Sequence, residues 1–323
     1  MAIVYHSADF EAKDRFESWR EVIYQHFFPA DGEVGSPQAF NAQMQTRMLG
    51  MTSVSRISAS AHAWVRNADH LRRTPHDEFL LSLMLKGEGR LKQGDREVRQ
   101  RAGVMVLYDT GQTYSYQFAA DIVVLKIPRR LLLARVPDAI RLTALPLRAD
   151  SPVGALASSV MRQAAALDIP ADAPAAPRIG ASLLDVVAAT LDTELSGRER
   201  PCSKQTALLE RVRNYIRANI GDSRLDVESI AHASDISPRT LNRLFAITGT
   251  TPMRWVWKQR LEASYCLLSE GRMKRVTDVA FNFGFNDLSH FSRTFKNEYG
   301  VSPHSLNKPQ RPAALGGACR NTG

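Results

Sequence analysis

Two short runs in the last third of the chain bring together side chains suited to hydrogen bonding with nucleic-acid bases. The run PRTLNRLF offers Arg239, Thr240, Asn242 and Arg243, and the run DLSHFSRTF offers Asp287, Ser289, His290, Ser292 and Arg293. Leu241, Leu244 and Phe245 in the first, and Phe291 and Phe295 in the second, recur at helical spacing, which leaves the polar set on the opposite face. An arginine fork matches O6 and N7 of guanine, and an asparagine amide matches N6 and N7 of adenine; each pairing is worth about 1–3 kcal/mol of discrimination. A helix showing such a face near its N-terminus is what a major groove accepts. A different chemistry is available earlier in the chain. Trp64, Arg66, His76, Tyr108, Tyr114 and Tyr116 comprise an arginine able to pair a carboxylate bidentately and aromatic rings able to pack a planar ligand. Each of these also fits a core or surface role.

The charge distribution supports the first set. The 323 residues carry a net charge of +9. Residues 1–199 balance, with 23 Lys+Arg against 23 Asp+Glu, whereas residues 200–323 carry 19 against 10. The whole excess therefore lies beside the two polar runs, as for a surface that attracts a polyanion.

The elements that must position these runs form a repeated unit. One copy reads DVESIAHASDISPRTLNRLFAITGTTP and the other VTDVAFNFGFNDLSHFSRTFKNEYGVSP. Ala231 matches Ala280, Ile236 matches Phe285, Arg243 matches Arg293, Phe245 matches Phe295, Gly249 matches Gly300 and Pro252 matches Pro303. In each copy a small residue on a first helix admits a second helix. A tight turn comes next, at Gly284 or less comfortably at Ser234-Asp235, and a cap then opens the second helix: Ser237 before Pro238, or Asn286 or Asp287. An amphipathic helix with Leu208, Leu209, Val212, Tyr215 and Ile216 on one stripe precedes the first copy, with Arg211, Arg213 and Arg217 turned largely to solvent. Thr251 and Pro252 open a connecting helix to about Ser269. Eighteen residues make a rod of roughly 27 Å, so with its turns it can hold two probe helices about 34 Å apart, one turn of B-DNA.

Residues from about Leu208 to Pro303, with KQRLEASYCLLSE as connecting helix and DVAFNFGFNDLSHFSRTFKNEYGVSP as signature, resemble the DNA-binding domain of the AraC/XylS transcription regulators. The resemblance implies base contacts from Arg239, Asn242 and Arg243 in one head and from Ser289, His290 and Arg293 in the other, with Thr240 beside the first set. Arg243 and Arg293 fit a phosphate or a neighbouring helix equally well, Asp287 fits a cap better than a contact, and Lys296 suits a phosphate or solvent. One departure is Leu306-Asn307, where a Tyr-Arg pair is common, and it bears on the last short helix.

Upstream, the pattern predicts a helix from about Asp9 to Phe27 and short glycine-punctuated strands from Phe40 to Pro128. Helices come next at about 152–167 and 178–195, separated by the proline-rich DIPADAPAAP. The stretch HLRRTPHDEFLLSLMLKGEGRLKQGDREVRQRAGVMVLYDTGQTYSYQF resembles the sensor half of the XylS-like branch, a cupin-like barrel, with Gly103-Val104 where a Gly-Asp pair is frequent. That likeness implies a small aromatic acid or aldehyde as effector, held by the ring-and-arginine set above. Leu184, Val187, Leu191 and Leu195 form a stripe that fits packing in its own domain or a dimer contact between two such helices.

The expected architecture is α+β: an N-terminal cupin-like β-barrel with flanking helices, then an all-α double helix-turn-helix domain. The expected division is 1–195 for sensing and dimerisation, 196–203 as linker, 204–307 for DNA binding and 308–323 as a flexible tail. Cys202, Cys266 and Cys319 are too scattered for a disulfide framework or a cysteine zinc site. His62, His70 and His76 show no metal-enzyme spacing and no GxSxG elbow occurs, so neither an enzyme, a metal nor a cofactor is expected. No apolar run approaches a bilayer span and no secretory start is present, so the expected location is the cytoplasm, away from membranes. The expected function is a transcription regulator, by family habit an activator, whose partners are double-stranded DNA, a small effector, RNA polymerase and a second copy in a homodimer. The alternative is a ligand-independent regulator whose barrel serves dimerisation or protein contacts.

Overall fold

Apolar side chains alternate along YSYQFAADIVV, and period two is the spacing of one sheet face. Residues 114–128 accordingly form a single long strand, with Tyr114, Tyr116, Phe118, Ala120, Ile122 and Val124 buried on one side. The computed structural model describes residues 3–74, 77–148, 151–170, 172–198, 204–273 and 275–306. The chain divides into two compact units, residues 1–211 and 212–323.

The first unit is built on one antiparallel sheet. Its strands are β1 (Ile3–His6), β2 (Asp31–Glu33), β3 (Ala42–Leu49), β4 (Thr52–Arg66), β5 (Glu78–Gln93), β6 (Arg96–Arg101), β7 (Val104–Asp109), β8 (Tyr114–Pro128) and β9 (Pro146–Arg148). The order is β1-β3-β4-β8-β5-β7-β9, with β2 added to the far half of β4 and β6 to the far half of β5. The three long strands β4, β5 and β8 thus run through both halves. Bulges at Ala59/His62 and Met84/Lys86 let them bend, as an extra residue in one strand increases local twist. The result is a curled, cupin-like sheet in which, among the described pairings, β1 and β9 lie at the two ends of the strand order.

Helix α1 (Arg15–His26) covers the curl, and α2 (Ala68–Arg73) and α3 (Arg129–Arg135) each succeed a strand. The first helix begins later than the sequence pattern predicts, because Phe10 is extended and stacks on Tyr5. Helices α4 (Pro152–Ala166) and α5 (Ala176–Gly197) pack on each other and on β3 and β4. The approach of α5 is close enough that a Cβ on Gly180 would lie 2.1 Å from the Leu49 carbonyl oxygen. This packing favours the own-domain reading of the leucine stripe over the dimer contact. Leu184, Val187 and Leu191 are at most 1 % exposed inside their own unit, which withdraws them from any contact between two chains; Leu195 is half-buried.

The second unit is helical: the end of α6 (Lys204–Ala218), then α7 (Val227–Ala233), α8 (Pro238–Ala246), α9 (Pro252–Ser269), α10 (Val276–Asn282), α11 (Leu288–Tyr299) and α12 (Pro303–Leu306). The last of these forms despite the Leu306 departure. Its partner Asn307, the tail 308–323 and linker positions 199–203 lie outside the described residues. No described helix is long and apolar enough to cross a membrane.

Candidate nucleic-acid interface and ligand cavity

Each half of the second unit is a helix-turn-helix, and its local chemistry explains why. Asp226 caps α7 through a capping box with Ser229, whose amide it accepts at 2.8 Å. The next turn places Asp235 at φ +55°, the left-handed region that aspartate tolerates better than most residues with a Cβ. Gly284 occupies the matching position in the second copy at φ +71°. Ser237 accepts from the Thr240 amide at 3.2 Å to cap α8, with Pro238 in the first turn. Between Asn286 and Asp287 it is Asp287 that caps α11, accepting from the amides of Ser289 and His290.

The inward faces are closed by Leu241, Leu244 and Phe245 in one head and by Phe285, Phe291 and Phe295 in the other, all at most 2 % exposed. Arg239, Asn242, Arg243, Ser289, His290, Arg293 and Lys296 all lie exposed at the surface of the unit. Thr240 is half-buried, and its hydroxyl lies 3.0 Å from that of Ser237, which draws it into the cap. Among the described residues, Asn242 and Arg293 make helix-local bonds, to the carbonyls of Pro238 at 2.9 Å and Ser289 at 3.3 Å. His290 is tied more firmly: its ring meets Trp257 of α9 edge-on at 5.6 Å. Arg213 and Arg217 are not solvent residues, because both are half-buried over the Trp255 ring, at 5.9 and 5.5 Å.

Arg260, in the middle of α9, is the residue that sequence reasoning overlooked. It is 2 % exposed. Its guanidinium donates to three backbone carbonyls: Asp222 at 2.6 Å, Ile220 at 3.1 Å and Gly284 at 3.2 Å. It also stacks on Trp257. One side chain thereby joins the connecting helix, the segment leading into the first head and the turn of the second. A basic residue inside an amphipathic helix gives no sign of such a role until the fold brings three carbonyls around it.

In the first unit the concave face of the sheet encloses a cavity of about 30 Å³, room for one or two waters. Its walls are Ile57 and Trp64 of β4, Tyr108 of β7, and Tyr114, Tyr116, Phe118, Ile122 and Val124 of β8, with Ile23, Phe27 and Phe28 from α1 and its exit. Four of the six proposed ring-and-arginine residues thus meet here: Trp64, Tyr108, Tyr114 and Tyr116. Trp64 lies directly across the ladder from Tyr116, and Arg66 from Tyr114. The alternation along β8 could have identified Phe118, Ile122 and Val124; the α1 residues had no comparable signal.

Arg66 does not serve as the expected carboxylate partner. It is 1 % exposed and donates to the carbonyls of Pro29 at 2.6 Å, Thr110 at 2.8 Å and Thr74 at 2.9 Å. Its fork is consumed in holding loops together. His76 lies outside the described residues.

Beside the cavity, His62 is packed among Phe16, Trp19, Phe40, Trp64 and Phe118. The Trp19 indole donates to Nε2 at 3.3 Å, so Nδ1 carries the proton and donates to the Ser60 carbonyl at 2.8 Å. Burial pushes the imidazole pKa down to about 4 and keeps it neutral. Burial also raises the three cavity tyrosines, which stay as hydroxyls. Tyr116 donates to Gln100 Oε1 at 2.5 Å. The Tyr114 hydroxyl is buried and has no hydrogen-bond partner among the described residues, an arrangement that costs roughly 1–3 kcal/mol. No described cluster of His, Cys, Asp or Glu could hold a metal ion.

Comparison with known proteins matches both units. Residues 19–192 match the model of an AraC-binding-like domain, and residues 230–308 match that of a helix-turn-helix domain. The chain is 31 % identical over 297 residues to the transcriptional activator NphR of Rhodococcus sp, covering 90 % of this chain and 88 % of that protein. It is 29 % identical over 128 residues to the XylDLEGF operon transcriptional activator 2 of Pseudomonas putida, covering 39 % and 77 %. The crystal structure of the AraC-like transcriptional activator CuxR superposes with a TM-score of 0.53 at 20 % identity, covering 83 % of this chain and 96 % of that one, which supports the fold.

Proposed function

Because the chain belongs to the AraC/XylS family of DNA-binding transcription regulators, we propose that it activates transcription by placing α8 and α11 in successive major grooves in response to a small effector held by its N-terminal unit. The observation that carries this reading is the pair of capped helices whose outward faces are polar or basic while their inward faces are buried phenylalanine and leucine. Arg239, Asn242 and Arg243 read bases in one half-site and Ser289, His290 and Arg293 in the other. Thr240 and Lys296 bind the flanking backbone. The two heads differ in sequence, so the site is asymmetric and bipartite.

Residues 1–195 sense, 196–203 connect and 204–307 bind DNA in this scheme. The activator role is taken from the relatives, and it makes RNA polymerase the protein partner. A homodimer of this chain would have to use a surface other than the buried α5 stripe. The effector shifts the balance between two states of the regulator through its different affinity for each. DNase footprinting on DNA next to the gene, with and without candidate aromatics, tests the whole reading. Two protected segments one helical turn apart are the expected result, and protection that ignores sequence would refute it. A ligand-independent regulator, the alternative, would show the same footprint with every compound.

A further inference from the structure

We infer that the cavity of the N-terminal unit selects uncharged, largely apolar molecules bearing one hydrogen-bonding group, and that the Tyr114 hydroxyl is the group that holds it. The inference rests on the effector-sensing reading above and narrows it.

No residue in the wall carries a charge: it is made of aromatic rings and branched aliphatic chains. The nearby cation, Arg66, stands outside the wall and points its donors elsewhere. Arg66, opposite Tyr114 in the ladder, gives its fork to the carbonyls of Pro29, Thr74 and Thr110. His62, behind Trp64 and Phe118, donates to Ser60 and accepts from Trp19, which leaves it no proton to offer a guest. A carboxylate entering this chamber would shed its water and meet no charged side chain in the wall to replace it.

The polar handle is equally specific. Tyr116 spends its hydroxyl on Gln100, whereas that of Tyr114, a residue 4 % exposed, has no partner among the described residues. A buried hydroxyl in the wall of an apolar chamber is complemented by a single acceptor or donor on the ligand. Phe28 and Tyr108 stand steeply against the Tyr114 ring, at 85° and 68°, and present the edges and faces that a flat guest packs against. At about 30 Å³ the cavity must widen to take a ring, and Ile23, Phe27 and Phe28 are the wall that lies outside the sheet ladder. Loading the cavity therefore bears on the position of α1.

The test uses the full chain at neutral pH, with methyl benzoate, acetophenone, ethylbenzene and benzoate each titrated by thermal shift and calorimetry. The neutral ester and ketone should bind at least about 10-fold more tightly than benzoate. Tyr114→Phe, which keeps the ring, should weaken acetophenone about 3- to 10-fold and leave ethylbenzene unchanged. Benzoate binding as tightly as methyl benzoate would overturn the inference while leaving effector sensing in place. An equal loss for acetophenone and ethylbenzene in the variant would remove the hydroxyl from its role. No stabilisation by any of the four would overturn the inference together with the effector reading.

Discussion

The guanidinium of Arg260 lies directly against Gly284: Nη1 donates to the glycine carbonyl at 3.2 Å, and a Cβ at position 284 would come within 2.9 Å of Nη2. Two heads and their spacer are locked at this contact. Arg260→Met keeps much of the volume but strands three carbonyls, and should destabilise the DNA-binding unit by about 2–4 kcal/mol. Gly284→Ala adds strain at a positive φ and should cost about 1–3 kcal/mol. Denaturant titration of the full chain, with hydrogen exchange reporting on each unit, checks both. Unchanged protection of α9 and α10 would contradict the locking role.

The outward faces differ, and so should the effects of their loss. Arg239→Ala should cost about 1–3 kcal/mol and relax base preference in one half-site only, while Arg293→Ala does so in the other. Selection of binding sequences by each variant reads the outcome directly. Uniform weakening across all sequences would reassign the residue to the phosphate backbone.

Affinity should fall steeply with salt, with a log–log slope of about −0.9 for each phosphate neutralised. Lys296→Ala should flatten that slope by about one phosphate without altering base choice. Fluorescence anisotropy over a salt series measures this, and a flat response in the wild type would argue against the charged interface.

Capping serines and aspartates hold the probe helices in register. Ser237→Ala and Asp287→Ala should each cost about 1 kcal/mol of stability. They should also weaken DNA binding, since the caps order the turn that carries Arg239 or Ser289. Loss of stability with DNA affinity unaltered would mean that the helix ends are fixed by packing alone.

Acid should weaken the first unit through His62. Its pKa is about 4 in the folded protein, against about 6.5 when unfolded. The unfolded chain therefore binds the extra proton first, and stability is lost as pH falls from about 6.5 to about 4, on the order of 3 kcal/mol in all. His62→Gln, which keeps an acceptor for Trp19, should remove this part of the pH dependence. Identical pH profiles for wild type and variant, by urea titration, would exclude His62 as the cause.

The DNA-binding unit was legible in the sequence because its signals are local. Caps at Ser237 and Asp287, the glycine at 284 and the apolar spacing of Phe291 and Phe295 all act within a few residues of each other. The cavity was legible in part. Alternation marks Tyr114 and Tyr116, but whether an arginine faces a ligand or a carbonyl depends on which loops arrive beside it. Arg66 meets Pro29, Thr74 and Thr110 from three separate places in the chain, so its type suggested recognition while its surroundings made it a strut. Arg260 is the same lesson in a helix. The α5 stripe was ambiguous for a related reason: Leu184 and Leu191 would look alike whether buried by α4 or by another chain.

A helix counts angle as well as length, each added residue turning the far end by about 100°. The eighteen residues of α9 therefore set a rotational phase between the probes, and Arg260 keeps it from drifting. Inserting one base pair between the half-sites would rotate the second by roughly 35° and move it about 3.4 Å along the axis. Such a protein measures the interval between two words as strictly as it reads their letters, and evolution of its target must change both together.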